Sequence, residues 1–178
     1  DIALLVIDAS EPFTAQDAHI GGYIHQMAKG IVLVVNKWDL ITDKNMPEWD
    51  KHIKSQLKFM PYASVVYISA KSGQGVDTVM PQVCQVYQER LKRLPTAEVN
   101  SVVHRATAAH GLTGTHGKQL KILYATQAEV NPPTFVFFVN DAKLIHFSYQ
   151  RYLENRLRES FGFAGTAIRL VFKSRGES

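Results

Sequence analysis

The stretch with the clearest chemical potential is Asn36-Lys37-Trp38-Asp39, directly after the apolar run Ile31-Val32-Leu33-Val34-Val35. A carboxylate at Asp39 presents two acceptor oxygens, enough to take both the ring N–H and the exocyclic amine of guanine. Adenine has no such donor pair, and a site built on paired polar groups rejects an analogue that leaves them unpaired. Asn36 can tie the loop and reach another base edge, while the methylene stem of Lys37 can lie along the base plane. Ser69-Ala70-Lys71 follows the next apolar run, Val65-Val66-Tyr67-Ile68. Its backbone N–H groups suit the base carbonyl oxygen, and Lys71 suits the opposite ring face. The candidate base-binding residues are therefore Asn36, Lys37, Asp39, Ser69, Ala70 and Lys71. For either segment alone, a polar turn after a strand is the plainer alternative.

Such loops need elements to hold them. Ile2–Ile7, Ile31–Val35 and Val65–Ile68 are short, branched and continuously apolar, the pattern of strands covered on both faces. Helical spacing runs from Gln16 to Lys29 through Ile20, Ile24 and Met27. It recurs from about Pro47 through Trp49, Ile53, Leu57 and Met60, and from Val76 to Leu94 through Met80, Val83, Cys84, Tyr87 and Leu91. This alternation predicts an α/β domain with a parallel sheet, and both candidate loops then lie at the carboxyl ends of strands, where such sheets bind ligands. Trp49 is expected in the core, and Cys84, beside Val83, is expected there too rather than as a nucleophile. Trp38 packs either inside its loop or against a neighbouring helix.

Leu94-Pro95-Thr96 ends the pattern, so the expected domains are 1–95 and 96–178. The second begins with a helix carrying Val99, Val102, Val103 and Ala106, followed by a Gly- and His-rich loop from Ala109 to Lys118. Strands follow at Leu120–Tyr124 and Thr134–Val139, then a helix from Tyr149 to about Phe161 and a last strand from Thr166 to Phe172. Helix, strand, strand, helix, strand makes a small α+β layer.

Charge separates the halves. Residues 1–95 hold 10 Lys+Arg and 10 Asp+Glu, whereas residues 96–178 hold 10 and 6, a net of +4. A basic second domain points to a polyanion, with Lys118, Lys121, Arg151 and Arg158 as candidate contacts. Arg151 and Arg158 are expected on an exposed helix face, with Glu154 placed to pair with Arg158. The alternative is an ordinary solvated face.

Composition excludes several classes. With 46% apolar and 20% charged residues, wholesale disorder is a poor reading. No apolar run approaches the roughly 18–20 residues that span a bilayer, and the start has no signal-peptide pattern. A single cysteine excludes an internal disulfide framework and a multi-cysteine zinc site, and the six-residue spacing of His104, His110 and His116 suits no metal loop, so no metal site is expected. A soluble cytoplasmic setting without membrane contact fits best.

Taken together, residues 1–94 resemble the carboxyl-terminal half of a P-loop GTPase domain of the translation-factor class. Asn36-Lys37-Trp38-Asp39 matches its fourth motif and Ser69-Ala70-Lys71 its fifth. The wording of Asp8-Ala9-Ser10-Glu11, Thr14-Ala15-Gln16-Asp17 and Ser69–Val76 is similar to the second GTPase domain of the Der (EngA) family, bacterial proteins with two tandem GTPase domains. Tyr124–Gln127, Pro132–Phe135, Phe138–Asp141 and Ser148–Asn155 resemble that family's KH-like carboxyl-terminal domain. The resemblance implies a parent that binds GTP and GDP, hydrolyses GTP with magnesium and acts in large ribosomal subunit assembly, with ribosomal RNA or the subunit as partner. It also implies that nucleotide state repositions the GTPase domain against the KH-like domain.

Two departures matter. The chain contains no G-x-x-x-x-G-K-[ST] and no D-x-x-G, so the phosphate and magnesium motifs are missing and only the base-reading half is expected. Weak or no nucleotide binding and no hydrolysis are then expected of these 178 residues alone, because phosphates and metal carry most of the recognised charge. A sheet edge and an apolar face are expected to lie uncovered, relieved by association or by a longer molecule. Second, Gly111-Leu112-Thr113-Gly114, Gly114-Thr115-His116-Gly117 and Gly162-Phe163-Ala164-Gly165 match the KH clamp string, but none falls between two helices, so each is expected to be a turn. A non-catalytic RNA- or ribosome-docking module through the basic domain is the alternative function.

Overall fold

Continuously apolar strands need cover on both faces, and the helices of the first half supply it. In the computed structural model, which describes residues 1–109 and 120–174, β1 (Ile2–Asp8), β2 (Gly30–Asn36) and β3 (Ser64–Tyr67) form a parallel sheet in that order. Ile2 pairs with Gly30 and Asp8 with Asn36 across the first pair, and Val35 pairs with Tyr67 across the second. Central β2 is sealed, with Ile31 to Val35 no more than 3% exposed. Helices α1 (Ala15–Gln26) and α2 (Met46–Gln56) cover one face, packing Ile24 and Ile53 with Leu5, Ile7 and Leu33. Helix α3 (Val79–Leu91) covers the other, where Val83 and Val86 meet Val32, Val34 and Val66.

The helix starts have local causes. Thr14 and Asp17 form a reciprocal capping box on α1, and Asn45 caps α2 with Pro47 in the first turn. The third helix departs from expectation. Val76–Thr78 form a separate 3-10 turn before it, and the face it buries carries Val79, Val83, Val86 and Arg90 rather than the stripe through Met80, Cys84, Tyr87 and Leu91. Cys84 is therefore exposed, not core, and Met80 and Tyr87 are exposed with it. Two apolar stripes run along this helix, and spacing alone does not say which one meets the sheet. On edge strand β1, Leu4 and Val6 are likewise exposed.

The chain divides into two compact units. The first holds Asp1–Arg90 together with Phe163–Ala167, and the second holds the remaining described residues. The short return segment, placed after 95 by the sequence division, is stitched into the first unit: Ile31 N donates to the Gly165 carbonyl at 2.7 Å and Gly165 N to the Tyr62 carbonyl at 2.7 Å. Arg90, only 2% exposed, donates to the Ala28 carbonyl at 2.9 Å and the Thr166 hydroxyl at 3.0 Å, so its charge is buried with partners. Gly165 sits at φ +68 with Val86 Cγ2 2.2 Å from where a Cβ would stand, and only glycine fits there. Gly162-Phe163-Ala164-Gly165 is thus a turn that ends a helix, as expected of that string.

In the second unit, α4 (Thr96–Ala109), β4 (Ile122–Val130), β5 (Pro133–Val139), α5 (Phe147–Phe161) and β6 (Arg169–Ser174) follow the expected order. The sheet order is β4-β5-β6, the first pair antiparallel and the second parallel. Val99, Val102, Val103 and Ala106 of α4 are all buried, as are Leu153 and Leu157 of α5 and alternate residues Phe135, Phe137 and Val139 of β5. The Asn100 side chain clamps α4 to β4 by donating to the Ala125 carbonyl at 2.8 Å and accepting from its N–H at 2.9 Å. No helix among the described residues is long and apolar enough to cross a membrane.

Candidate functional site

The two sequence motifs meet because β2 and β3 are parallel neighbours, so the loops leaving their carboxyl ends start side by side. Two backbone N–H links hold them, and a side-chain neighbour adds to these. Trp38 N donates to the Ile68 carbonyl at 3.0 Å and Ala70 N donates to Asn36 Oδ1 at 2.9 Å, while the Ser69 hydroxyl lies beside the Asp39 carboxylate. Ser69 is fully buried and its oxygen also accepts from Ser72 N at 3.2 Å. Trp38, 1% exposed, pins the first loop from beneath. Its ring meets Trp49 of α2 edge-on at 5.4 Å and lies 4.4 Å from Tyr67. That answers where Trp38 packs: against the neighbouring helix. Trp49, half-buried, borders the same core.

The second loop closes on itself. Gly73 N donates to the Ser69 carbonyl and Ser69 N to the Gln74 carbonyl, both at 2.9 Å. At Gly75, φ is +71 and a Cβ would stand 2.4 Å from the Tyr67 carbonyl oxygen. Glycine is therefore required where the loop passes back over β3.

Electrostatics prepare Asp39 to accept. The Ser69 hydroxyl beside it holds its carboxyl below the ordinary 3.8, helped by Lys71 and Lys44. An exposed, ionised carboxylate is acceptor-only. Asn36 is used as anticipated for tying the loop, and it takes the Ala70 N–H that the base carbonyl was expected to meet. Lys71 N–H carries no bond to another described residue and is a loop donor left available.

Sequence reasoning missed Asp8. It ends β1 opposite Asn36 and forms an ion pair with the Lys37 ammonium, while Ser10 donates to it through its hydroxyl at 2.6 Å and its N–H at 2.9 Å. Lys37 and then Ser10 lower the Asp8 carboxyl from 3.8 to about 2, and Asp8 raises Lys37 in turn. Lys37 itself is in the left-handed region at φ +61, a conformation that non-glycine residues adopt mostly where the surroundings impose it. A charged residue closing an apolar strand was the available signal.

The basic candidates of the second unit are not gathered in the same way. Lys118 lies outside the described residues, as do His110, His116 and the first two Gly-x-x-Gly strings. Lys121 is exposed immediately before β4, its N–H bonded to Asn140 Oδ1 at 2.8 Å. Arg151 is exposed over the Phe147 ring at 5.8 Å. Arg158 corrects the expectation of an exposed face: its side chain is only 12% exposed and it grips Glu154 Oε1 through two nitrogens at 3.0 and 2.8 Å. The pairing is as anticipated, but the same pairing and the packing of the helix take Arg158 out of the solvent. Tyr124 and Phe138 stack at 4.3 Å on the sheet face away from the buried Phe135 and Phe137, an aromatic platform the spacing did not reveal. Among the described residues no group of His, Cys, Asp or Glu is arranged to hold a metal.

Comparison with known proteins matches the two parts of the chain to two families. Residues 1–89 match the family described as the elongation factor Tu GTP binding domain. Residues 93–173 match the family described as KH-domain-like of EngA bacterial GTPase enzymes, C-terminal. GTPase Der of Alkaliphilus oremlandii is 47% identical over 98% of this chain and 40% of its own length. GTPase Der of Desulfitobacterium hafniense is 49% identical over 99% of this chain and 41% of its own length. The chain thus spans about 40% of these relatives. Among solved structures, Era in complex with MgGDPNP and nucleotides 1506–1542 of 16S ribosomal RNA aligns with 98% of this chain and 66% of that one, at 21% identity and a TM-score of 0.44. That likeness is too low to carry anything across.

Proposed function

The chain belongs to the family of the bacterial GTPase Der, also called EngA, and from that premise we propose that it is the base-reading and docking part of a cytoplasmic GTP hydrolase of large ribosomal subunit assembly. Residues 1–95 are the carboxyl-terminal half of its guanine-nucleotide domain and 96–178 its KH-like domain. The observation that carries this reading is the exposed, ionised Asp39 held by Ser69 beside the loop that Asn36 ties down. Asp39 accepts the ring N–H and exocyclic amine of guanine, Lys71 N–H faces its carbonyl oxygen, and the two lysine stems flank the ring. Phosphates and magnesium, when bound, supply the charge on which hydrolysis acts. The glycine-rich loop that cradles them is not in this sequence, so these residues contribute base selectivity only.

Fluorescent GDP titrated against an ADP control tests the proposal. The full-length protein should bind GDP selectively, and Asp39→Ala should weaken GDP at least about tenfold, since hydrogen bonds to a charged group are worth roughly 1.5–3 kcal/mol each. The 178-residue chain should bind weakly or not at all. Equal affinity of the full-length protein for ADP and GDP would sink the reading. Lys121 and Arg151, with Lys118, are the proposed contacts to ribosomal RNA or the large subunit. Charge reversal at those three positions should abolish ribosome pelleting while leaving GDP affinity unchanged. Unchanged pelleting would remove the docking role.

A further inference from the structure

The first unit carries a cleft of about 750 Å³ that none of the base-loop residues Asn36, Lys37, Asp39, Ser69, Ala70 or Lys71 lines. It lies between α1 and α2, closed at its ends by the segments Glu11–Thr14 and Leu40–Asn45 that lead into those helices. Its volume is that of a ligand pocket. The floor is apolar: Phe13, Ile20, Ile41 and Trp49 line it, over the buried Ile53. Ile20 is 41% exposed and neighbouring Leu40 58%, so the floor is open to solvent rather than sealed.

The charge on this cleft is one-sided. Asp8, Glu11, Asp17, Asp43 and Glu48 line it, and no lysine or arginine does. Residues 1–95 carry 10 acidic and 10 basic side chains, so half the acids of a neutral region surround one opening. Two of the five have partners: Asp8 is paired with Lys37 and Asp17 caps α1. The side chains of Glu11, Asp43 and Glu48 have no hydrogen bond or close ion pair among the described residues, Glu11 interacting with the Lys37 ammonium only at longer range. Like charges around an apolar floor repel one another and exclude a polyanion. A ligand with a cationic head on an apolar stem relieves both conditions at once, because the stem covers the floor while the head meets the rim. Arginine does this best here, since its guanidinium also stacks on an indole face, and Trp49 supplies one.

We propose that the cleft between α1 and α2 is a docking site for a basic, partly apolar peptide segment of a partner protein. The partner's Arg or Lys side chain lies over Trp49 with its charge among Glu11, Asp43 and Glu48, and its apolar residues cover Ile20, Leu40 and Ile41. This surface selects protein where the basic unit selects polyanion.

The test uses the full chain and a fluorescein-labelled peptide of alternating Arg and Leu, followed by anisotropy and by tryptophan emission. An otherwise identical Glu-Leu peptide and free spermine serve as comparisons. The Arg-Leu peptide should bind and shift the emission. The triple variant Glu11→Gln, Asp43→Asn, Glu48→Gln should lose at least about tenfold in affinity, while Asp77→Asn, an acid outside the cleft, should lose nothing. All three substituted carboxylates are exposed, and an unchanged melting temperature verifies that the fold survives. The proposal is overturned if the triple variant binds as the parent does, if the Glu-Leu peptide binds equally, or if spermine competes at the peptide's own affinity, which marks a site for small polycations instead of a peptide.

Discussion

At the carboxyl ends of β2 and β3, side chains that look like a group in the sequence do come together; on α5, two arginines that look like a pair do not. The difference lies in what positions them. Asn36 ends β2 and Asp39 and Ser69 sit in the short loops that follow neighbouring parallel strands, the second loop closed by bonds over a few residues and tied to Asn36 through Ala70. Arg151 and Arg158 are seven apart on a helix, and their exposure depends on how the rest of the unit packs around it. Arg158 is spent on Glu154, while Arg151 stays at the surface. Motifs held by local backbone geometry survive the step from sequence to structure, whereas surface charge patterns are re-sorted by packing.

The largest test of that contrast removes the base of the first loop. Trp38→Ala deletes a ring that is 1% exposed, and large-to-small changes of this kind cost about 3–5 kcal/mol, to be read as a fall in the urea midpoint. Gly75→Ala should cost about 1–3 kcal/mol as an overpacked site, because the new Cβ meets the Tyr67 carbonyl oxygen 2.4 Å away. If its thermal midpoint matched the parent, the second loop would be looser than described. Asn36→Ala removes one side-chain bond and should cost about 0.5–1.5 kcal/mol, with faster hydrogen exchange at the Ala70 amide as its specific signature. On α5, Arg158→Ala should lose more than the roughly 0.3–0.5 kcal/mol of an exposed i,i+4 pair, because its side chain is only 12% exposed, and Arg151→Ala less than that. A larger loss at Arg151 than at Arg158 would reverse the comparison.

The smallest effect is a pH slope. The folded Asp8 carboxyl lies at about 2 against an ordinary 3.8, so its contribution is present above 3.8 and is lost as pH falls through the folded value. Its partner Lys37, raised above 10.5, contributes below that value and loses its contribution as pH rises through the folded one. Asp8→Asn should therefore flatten both the acid and the alkaline limbs of the stability profile. Asp39, also lowered, leaves part of the acid limb in place. An unaltered profile would mean that solvent screens the pair fully.

Much was legible in the residues themselves. The alternation of apolar runs and helical spacing foretold three parallel strands with their helices, and Val99, Val102, Val103 and Ala106 were identified as the buried face of α4. Asn36, Asp39 and Ser69 were placed in loops that do meet. These features are set by local period and by loops following strands, so neighbouring residues suffice to specify them.

Other features depend on distant partners. Cys84 faces solvent because the sheet chose the other of two apolar stripes on α3. Arg90 is buried because Ala28 and Thr166, far away in the chain, accept from it. Phe163–Ala167 joins the first unit because Gly30, Ile31 and Tyr62 offer it backbone bonds, and Asp8 reaches Lys37 only because β1 and β2 lie in register. By itself, the sequence determined the types and order of the elements and the loops that carry the base-reading residues, since periodicity and turn chemistry act over a few positions. Only the tertiary structure decided which helix face is covered, which charges are paired and where an acidic, apolar cleft opens, because burial and pairing arise between residues that the chain brings together from afar.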